Sequence, residues 1–266
     1  MYKAVFVDID GTLVDAKKNI SEETKLVLKN ARDNGIEVVL CSGRCRRSVQ
    51  DLRKVCSVSR YVISANGAEI YDCETEEVLY QCALESEICQ RLWEMAMQKD
   101  MLIKLDFGLG RIINQTKRMR YYEMELQEDI CTFLNKNAIR QISLSSEHDA
   151  QIEEAKKQIA QNPNNAIVNE FFEHHNGKKF HYIHCANKNV SKGNAMAGLC
   201  KYLKIDLKNV VAIGDDINDI SMIKMAGLGV AMGNSSDEIK EIADKITTTN
   251  EENGVARVLE NLLEEK

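Results

Sequence analysis

Short apolar segments alternate with amphipathic segments along the first part of the chain. Residues 4–7, 36–40 and 61–64 are almost wholly apolar, which is typical of strands buried on both faces of a parallel sheet. Between the first two segments, Ser21 stands where a helix would be capped and Gly35 where it would end. Strands that alternate with helices predict a parallel sheet with helices on both faces.

The pattern changes after about residue 82. Two pairs of strand-like segments are each joined by a glycine-containing turn: residues 101–107 with 111–115 across Gly108-Leu109-Gly110, and residues 166–172 with 179–185 across Asn176-Gly177. Each pair predicts a β-hairpin. Helical segments surround a further predicted strand at residues 139–145. This stretch is therefore expected to form a separate α+β module.

The first pattern returns near residue 188. Residues 209–213 predict a strand that ends at Gly214-Asp215, and shorter strands are predicted at residues 229–232 and 245–247. A last helix has apolar residues at helical spacing: Val255, Val258, Leu259 and Leu262. We therefore predict an α/β domain interrupted by an insertion.

The predicted domain boundaries follow from these two changes of pattern. Residues 1–82 and 187–266 would form the core domain, a doubly wound parallel sheet of the α/β class. Residues 83–186 would form the inserted α+β domain.

Composition narrows the range of partners. The 266 residues carry a formal net charge of -6, which argues against a broad nucleic-acid-binding surface. No apolar run approaches the roughly 20 residues that cross a bilayer. The chain enters an apolar strand at its start, without the longer apolar stretch of a signal peptide. We expect no membrane association, a cytoplasmic location, and a monomer or weak homodimer.

Cysteine and histidine patterns do not favour a zinc site. The nine cysteines are odd in number and include no Cys-x-x-Cys pair, so we expect reduced thiols. Five histidines fall in the insert: His148, His174, His175, His181 and His184. Because His181 and His184 lie on opposite faces of a predicted strand, surface and insert-packing roles are favoured over a metal cluster. A contact between one of them and a substrate stays open.

Three polar clusters follow predicted parallel strands: Asp8-Ile9-Asp10-Gly11-Thr12, Ser42-Gly43-Arg44, and Gly214-Asp215-Asp216-Ile217-Asn218-Asp219. A single such cluster is commonly no more than a surface cap. Open α/β sheets, however, bind ligands at the carboxyl ends of their strands. Three clusters separated by long intervals therefore predict a site at that edge.

These clusters resemble the motifs of the haloacid dehalogenase superfamily. The first motif is similar to residues 8–13, the second to Ser42-Gly43-Arg44, the third to Ser191-Lys192-Gly193 and the fourth to residues 214–219. Their order and spacing also match, and together they are far more specific than any one motif. The resemblance implies a Rossmann-like core.

The insert looks like the cap of the Cof-type phosphatases within this superfamily. Three further short motifs resemble sequences of that subfamily: Asn66-Gly67-Ala68, Met232-Gly233-Asn234 and Asn253-Gly254-Val255-Ala256. The resemblance covers nearly the whole chain. It implies a phosphatase for a small phosphorylated molecule, such as a sugar phosphate or a nucleotide- or cofactor-like ester, with the cap choosing among substrates.

The resemblance assigns the reaction chemistry to four acidic residues. Asp8 would attack phosphorus and form an aspartyl phosphate, and Asp10 would act as general acid and base. Magnesium, which prefers oxygen ligands, would be held by Asp8, the backbone carbonyl of Asp10, and Asp215. Asp219 would act through a water or as a weaker ligand.

The resemblance assigns phosphate binding to the other motif residues. Ser42 and the amide of Gly43 would donate hydrogen bonds to phosphate oxygens, and Lys192 would add positive charge. Asn218 would contact the phosphate or hold Lys192. Arg44 would touch the phosphate or pin the wall of the site, and a structural ion pair is an equal alternative.

One residue departs from the common pattern. Asp216 stands where many relatives of this superfamily have a small residue. We expect its side chain to point to solvent, with at most a modest effect on metal affinity.

Three other functions are alternatives to a phosphatase. A phosphomutase similar to phosphomannomutase is compatible with the same motifs and stays open. A non-catalytic binding protein would be expected to have lost a motif residue, whereas Asp8, Asp10, Lys192 and Asp215 are all present. A membrane cation pump with the same aspartate chemistry is disfavoured because no membrane span is predicted.

Overall fold

The computed structural model describes residues 2–115, 119, 122–161, 166–175 and 177–264. The chain divides into two compact units. We call Met1–Tyr80 with Ser191–Lys266 the core unit and Gln81–Val190 the insert unit. Within the described residues, no helix combines the length and the apolar character that crossing a membrane requires.

The described strands are, in chain order, β1 (Ala4–Val7), β2 (Glu37–Cys41), β3 (Tyr61–Ser64), β4 (Glu69–Asp72), β5 (Glu77–Gln81), β6 (Leu102–Asp106), β7 (Arg111–Ile113), β8 (Glu123–Glu125), β9 (Gln141–Ser146), β10 (Ala166–His175), β11 (Lys178–Asn187), β12 (Val210–Gly214), β13 (Leu228–Ala231) and β14 (Lys245–Ile246). The described α-helices are α1 (Glu22–Asp33), α2 (Arg46–Cys56), α3 (Ser86–Gln98), α4 (Ile130–Lys136), α5 (Asp149–Ala160), α6 (Lys192–Leu203), α7 (Ile220–Met225), α8 (Asp237–Ile242) and α9 (Gly254–Glu264).

The core unit is built on one sheet with the strand order β14-β13-β12-β1-β2-β3-β4-β5. The pairs from β14 to β3 are parallel. Side chains alternate between the two faces: Val7 packs in one apolar cluster with Leu28 and Leu259, whereas Phe6 packs in another with Met196. Both faces of β1 are therefore buried under helices, which confirms the predicted α/β architecture.

The helix α1 begins and ends where the sequence indicates. The side chain of Ser21 accepts a hydrogen bond from the backbone N–H of Thr24 at 3.0 Å, which satisfies one of the free donors of the first turn. Val27 and Leu28 face the sheet. Gly35 follows the helix with a φ of 79°, a left-handed conformation that glycine adopts without steric strain.

The insert unit contains a second sheet with the strand order β10-β11-β9-β6-β7-β8. The pairs β10–β11 and β6–β7 are antiparallel, so both predicted hairpins are confirmed. Of the predicted turn at Asn176-Gly177, Asn176 lies outside the described residues. One apolar cluster joins this sheet to its helices through residues such as Leu92, Ile142 and Ile152.

The strands β4 and β5 extend the core sheet beyond what the apolar pattern predicts. β4 runs antiparallel to β3, and β5 lies at the edge of the sheet. Four of the five residues of β5 are exposed. Its apolar residues Val78, Leu79 and Tyr80 form only a short run between polar residues, too short to be assigned to a strand from the pattern alone.

Candidate active site

The carboxyl ends of the parallel strands meet at one edge of the core sheet. Asp8 follows β1, Ser42 follows β2, and Asp215 follows β12. Lys192 is the first residue of α6, whose N-terminus is capped by Ser191 through the N–H of Asn194 at 3.0 Å. The polar clusters separated along the sequence thus lie at the same edge of the sheet.

Lys192 lies between two carboxylates in the interior of this edge. Its Nζ is 2.6 Å from Oδ1 of Asp219 and also contacts Oδ1 of Asp8. Lys192 and Asp219 are fully buried, and Asp8 is 5% exposed. Burial alone would lower the pKa of Lys192, but Asp8 and Asp219 raise it above its ordinary value, so the ammonium group is charged.

The same burial acts on the nucleophile candidate. Removal from water raises the pKa of Asp8, and the ammonium group of Lys192 opposes this shift. A reactive, ionised Asp8 therefore depends on positive charge beside it. Lys192 supplies part of that charge from within the protein.

Three carboxylates at this edge could hold a cation. Oxygens of Asp8, Asp215 and Asp219 all lie within 4.8 Å of one another. Burial and the charge of Asp219 raise the pKa of Asp215 to about 6, against the hydrogen bond that Thr12 donates at 2.7 Å. Several close carboxylates that repel one another form a set of hard oxygen donors, and these fit Mg²⁺.

Asp219 differs from the other two in what its oxygens already bind. Oδ1 accepts from Lys192, and Oδ2 accepts the backbone N–H groups of Asp215 at 3.0 Å and Asp216 at 3.1 Å. Because both oxygens have protein partners, Asp219 is placed to orient Lys192 and the loop after β12. The side chain of Asp216 is exposed and accepts the N–H of Ile217.

At Gly11 the backbone of the first cluster passes close to the carboxylate of Asp215. Its φ is 84°, and a Cβ atom there would lie 2.2 Å from Oδ2 of Asp215. Any other residue would collide with the carboxylate. The carbonyl of Gly11 accepts a hydrogen bond from Asn234 at 2.8 Å, and Asn234 in turn accepts the N–H of Asn250 at 3.1 Å.

Asp10 is held by two cations. Nε of Arg44 donates to Oδ2 and Nη2 to Oδ1, each at 2.7 Å, and Nζ of Lys18 lies 2.8 Å from Oδ1. Burial opposes ionisation, but the hydrogen bonds from Arg44 and Lys18 lower the pKa of Asp10 to about 2. Of the sequence alternatives for Arg44, the structure shows an ion pair with Asp10.

Two further residues of the predicted site, Ser42 and Asn218, have hydrogen-bond partners in the loops of this edge. Ser42 is buried, and its Oγ accepts the N–H of Arg44 at 3.2 Å. The amide of Asn218 donates to Oδ1 of Asn66 at 2.9 Å. Holding Lys192, one alternative for Asn218, is instead done by Asp219, the next residue along the chain.

Sequence reasoning missed several residues of this site. Asn66 and Asn234 stood in triplets that were singled out only as signatures of a subfamily. Lys18 lies in an ordinary polar stretch, and nothing in its sequence surroundings marks it. The ion pair of Asp219 with Lys192 was signalled by the third and fourth motifs together, but the spacing does not say which acidic side chain reaches the lysine.

The insert histidines have separate surroundings. His181 is buried, with Nδ1 2.8 Å from Asp149 and Nε2 2.6 Å from Glu170. His184 packs edge-on against Phe171 at 4.9 Å between ring centroids, and burial lowers its pKa to about 4. Among the described side chains, the group of three or more candidate metal ligands consists of Asp8, Asp215 and Asp219 and includes no histidine. All nine cysteines are free thiols.

Comparison with known proteins identifies the family of this chain. The family model of haloacid dehalogenase-like hydrolases matches residues 5–259. The Bacillus subtilis 5-amino-6-(5-phospho-D-ribitylamino)uracil phosphatase YcsE is 30% identical, with 97% of this chain and 94% of that protein covered. Phosphatase YwpJ of Bacillus subtilis is also 30% identical, over 98% of this chain and all of that protein.

The fold has close counterparts among solved structures. A haloacid dehalogenase-like hydrolase from Bacteroides thetaiotaomicron superposes with a TM-score of 0.82 at 27% identity, over 98% of this chain and 100% of that one. A haloacid dehalogenase-like hydrolase from B. subtilis gives a TM-score of 0.80 at 25% identity, with 98% of this chain and 99% of that one covered.

Proposed function

The chain belongs to the haloacid dehalogenase-like hydrolases and is a phosphatase, and we propose that it hydrolyses small phosphomonoesters with magnesium through an aspartyl phosphate on Asp8. The observation that carries the proposal is the buried contact of Lys192 with Asp8, beside the carboxylate of Asp215. This arrangement supports the proposal, because a carboxylate, a buried positive charge and further carboxylate oxygens suited to a cation lie close together.

Asp8 is the nucleophile in this proposal. One of its oxygens forms a bond to phosphorus while the bond from phosphorus to the leaving oxygen breaks, which leaves the phosphoryl group on Asp8. Asp10 gives a proton to the leaving oxygen and later takes one from the water that attacks phosphorus. That attack breaks the bond between Asp8 and phosphorus, so inorganic phosphate is released and Asp10 regains its proton.

The cations around Asp10 bear on the first proton transfer. Asp10 is ionised while Arg44 and Lys18 hold it, whereas a general acid must carry a proton. A phosphate dianion near this cluster would attract both cations and raise the pKa of Asp10. We therefore expect substrate binding itself to prepare Asp10 as the acid.

The carboxylates of Asp8 and Asp215 and the backbone carbonyl of Asp10 would hold magnesium. When bound, the ion supplies positive charge that offsets the charge of the phosphate during attack. Ser42, the amide of Gly43, Asn218 and Lys192 would bind the phosphate oxygens, as the motif resemblance implies.

Substrate choice is assigned to the insert unit. The loops at the edge of the core sheet supply groups suited to binding a metal and a phosphate group. Because every phosphomonoester has a phosphate group, these loops do not distinguish one ester from another. The relative YcsE of B. subtilis is named as the phosphatase of a phosphorylated ribitylaminouracil. For this chain we propose a substrate of similar size, either a sugar phosphate or a nucleotide- or cofactor-like ester. Substitutions at Leu109, exposed between β6 and β7, should change the ranking of substrates more than the turnover of a generic ester.

A panel of phosphorylated metabolites tests the proposal. Phosphate release would be measured with magnesium and with a chelator, and interconversion of sugar 1- and 6-phosphates would be followed in parallel. We expect magnesium-dependent phosphate release with a preference within the panel. Isomerisation without phosphate release would favour a phosphomutase, and turnover that is unchanged by the chelator would contradict the role of magnesium.

A further inference from the structure

Three consecutive residues after β3 share an unusual backbone conformation. The turn Ala65–Gly67 has φ values of 49° at Ala65, 58° at Asn66 and 97° at Gly67. The left-handed region costs a residue with a side chain about 1–2 kcal/mol, and Ala65 gains nothing there from a polar side chain. Such conformations persist where the surroundings hold them, and they concentrate at functional sites.

The turn is held by the loop that follows β2. The N–H of Ala65 donates to the carbonyl of Arg44 at 2.9 Å, and the N–H of Asn66 donates to the carbonyl of Ser42 at 3.0 Å. The amide of Asn66 lies against Gly43, where a Cβ atom would be 2.9 Å from its Oδ1. Asn66 thus contacts both residues of this loop that are proposed to bind phosphate.

The same turn reaches two further loops of the edge. Oδ1 of Asn66 accepts the amide of Asn218 at 2.9 Å. Gly67 lies so close to the start of α6 that a Cβ atom would be 2.3 Å from the carbonyl oxygen of Ser191 and 3.1 Å from the nitrogen of Lys192. One short, strained turn therefore touches the loops that carry Ser42, Lys192 and Asn218.

We infer that Asn66 is a positioning residue that fixes the phosphate-binding groups of Ser42-Gly43 and Asn218 relative to one another before substrate arrives. The inference rests on the proposed function, because it assumes that those groups bind phosphate. Donors that are already oriented lose no free energy to reorganisation when charge develops, so a brace between two such loops raises affinity for the transition state.

Asn66→Gly isolates the side chain. Glycine adopts the left-handed region freely, so this substitution keeps the backbone turn and removes only the amide that joins Gly43 and Asn218. A matched control is Asn253→Gly. Asn253 also has a left-handed φ, 60°, and its amide donates to Glu23 at 2.7 Å, in a part of the core unit with no proposed role in the reaction.

Two readouts would be taken with excess magnesium: kcat/KM for p-nitrophenyl phosphate, and the Kd for orthovanadate by calorimetry. We expect Asn66→Gly to lower kcat/KM about 10- to 100-fold, as loss of an outer partner of functional groups commonly does, and to weaken orthovanadate binding by a similar factor. Asn253→Gly should leave kcat/KM and the Kd for orthovanadate within about 3-fold of wild type. The Tm of Asn66→Gly should be no lower than that of Asn253→Gly.

A double substitution tests the route of the effect. If Asn66 acts through Asn218, Asn66→Gly in an Asn218→Ala background should weaken orthovanadate binding much less than it does in wild type. Unchanged orthovanadate affinity in Asn66→Gly, or an equal loss in Asn253→Gly, would overturn the inference. Because calorimetry needs no turnover, it decides this point even if wild type hydrolysed no ester, a result that would overturn the proposed function separately.

Discussion

Arg44 binds both carboxylate oxygens of Asp10, with Nε 2.7 Å from Oδ2 and Nη2 2.7 Å from Oδ1. A planar guanidinium makes such a two-point contact, whereas a lysine ammonium is a single point charge. Arg44→Lys should therefore keep the charge but lose the orientation of Asp10. We expect kcat/KM for a generic ester to fall about 10- to 100-fold, since small misplacements of reacting groups have effects of this size.

Lys18→Ala is the matched comparison for Arg44→Lys. Lys18 contacts only Oδ1 of Asp10, and its side chain is 61% exposed, so its ion pair is screened by solvent. We expect a loss of no more than about 3-fold in kcat/KM, in line with the weak contribution of exposed ion pairs. A loss in Arg44→Lys no larger than that in Lys18→Ala would show that the two-point contact of Arg44 contributes little to the role of Asp10.

Asp10→Asn separates proton transfer from metal binding. The substitution keeps the backbone carbonyl that is proposed to contact magnesium and removes the acid and base. Turnover should fall by about 100- to 10,000-fold, the usual contribution of a positioned general acid or base. The concentration of magnesium that gives half-maximal activity should change little. A parallel collapse in magnesium affinity would show that the side chain has a different role.

Gly67→Ala and Gly35→Ala differ in one physical respect. Both glycines have a positive φ, 97° at Gly67 and 79° at Gly35. A Cβ atom at Gly67 would lie 2.3 Å from the carbonyl oxygen of Ser191, whereas a Cβ atom at Gly35 would have no neighbouring atom within 4 Å. Gly35→Ala should lower the free energy of unfolding by about 1–2 kcal/mol through backbone strain alone. Gly67→Ala should cost more, and chemical denaturation of both variants measures the difference. Equal losses would mean that α6 moves away without cost.

His184 gives the insert unit a defined pH dependence. Its pKa is about 4 in the folded chain because burial disfavours the charged ring, against an ordinary value of 6.5. Between these values the unfolded chain binds more protons, so the free energy of unfolding falls as pH falls. Wild type should lose about 1–2 kcal/mol more than His184→Gln between pH 7 and pH 5.

Trp93 provides the signal for that measurement. It is the single tryptophan of the chain, and it is buried in the apolar cluster of the insert unit. Urea unfolding followed by its fluorescence at both pH values reports on this unit, and groups common to the two proteins cancel in the comparison. Parallel losses in wild type and His184→Gln would show that the pKa of His184 is not lowered in the folded chain.

The sequence predicted the core strands well because they are buried on both faces. Residues 4–7 are an unbroken apolar run, as are residues 210–213 of the predicted strand 209–213, and the structure has strands at Ala4–Val7 and Val210–Gly214. The strand Glu77–Gln81 has only the short apolar run Val78-Leu79-Tyr80 between polar residues, and it escaped prediction. Patterns of hydrophobicity register burial, so a short run at a mostly exposed sheet edge is a weak signal.

The site was predictable in its members but less so in its contacts. Motif order brought Asp8, Lys192 and Asp215 to one edge, and the structure places them there. Which of Asn218 and Asp219 reaches Lys192 depends on the dihedral angles of one tight turn, and residue spacing does not give these. The left-handed conformation of Asn66 is likewise a property of the folded backbone, which an Asn-Gly pair permits but does not require.

We propose Asp8 as the nucleophile of a magnesium-dependent phosphatase. The most direct measurement is the rate of phosphate release from p-nitrophenyl phosphate by wild type and Asp8→Asn, both with saturating magnesium and both shown to be folded by circular dichroism. The amide is nearly isosteric with the carboxylate but is a poor nucleophile toward phosphorus, so we predict turnover by wild type and loss of turnover in the variant to background. A folded Asp8→Asn that releases phosphate at a near-normal rate would contradict the account.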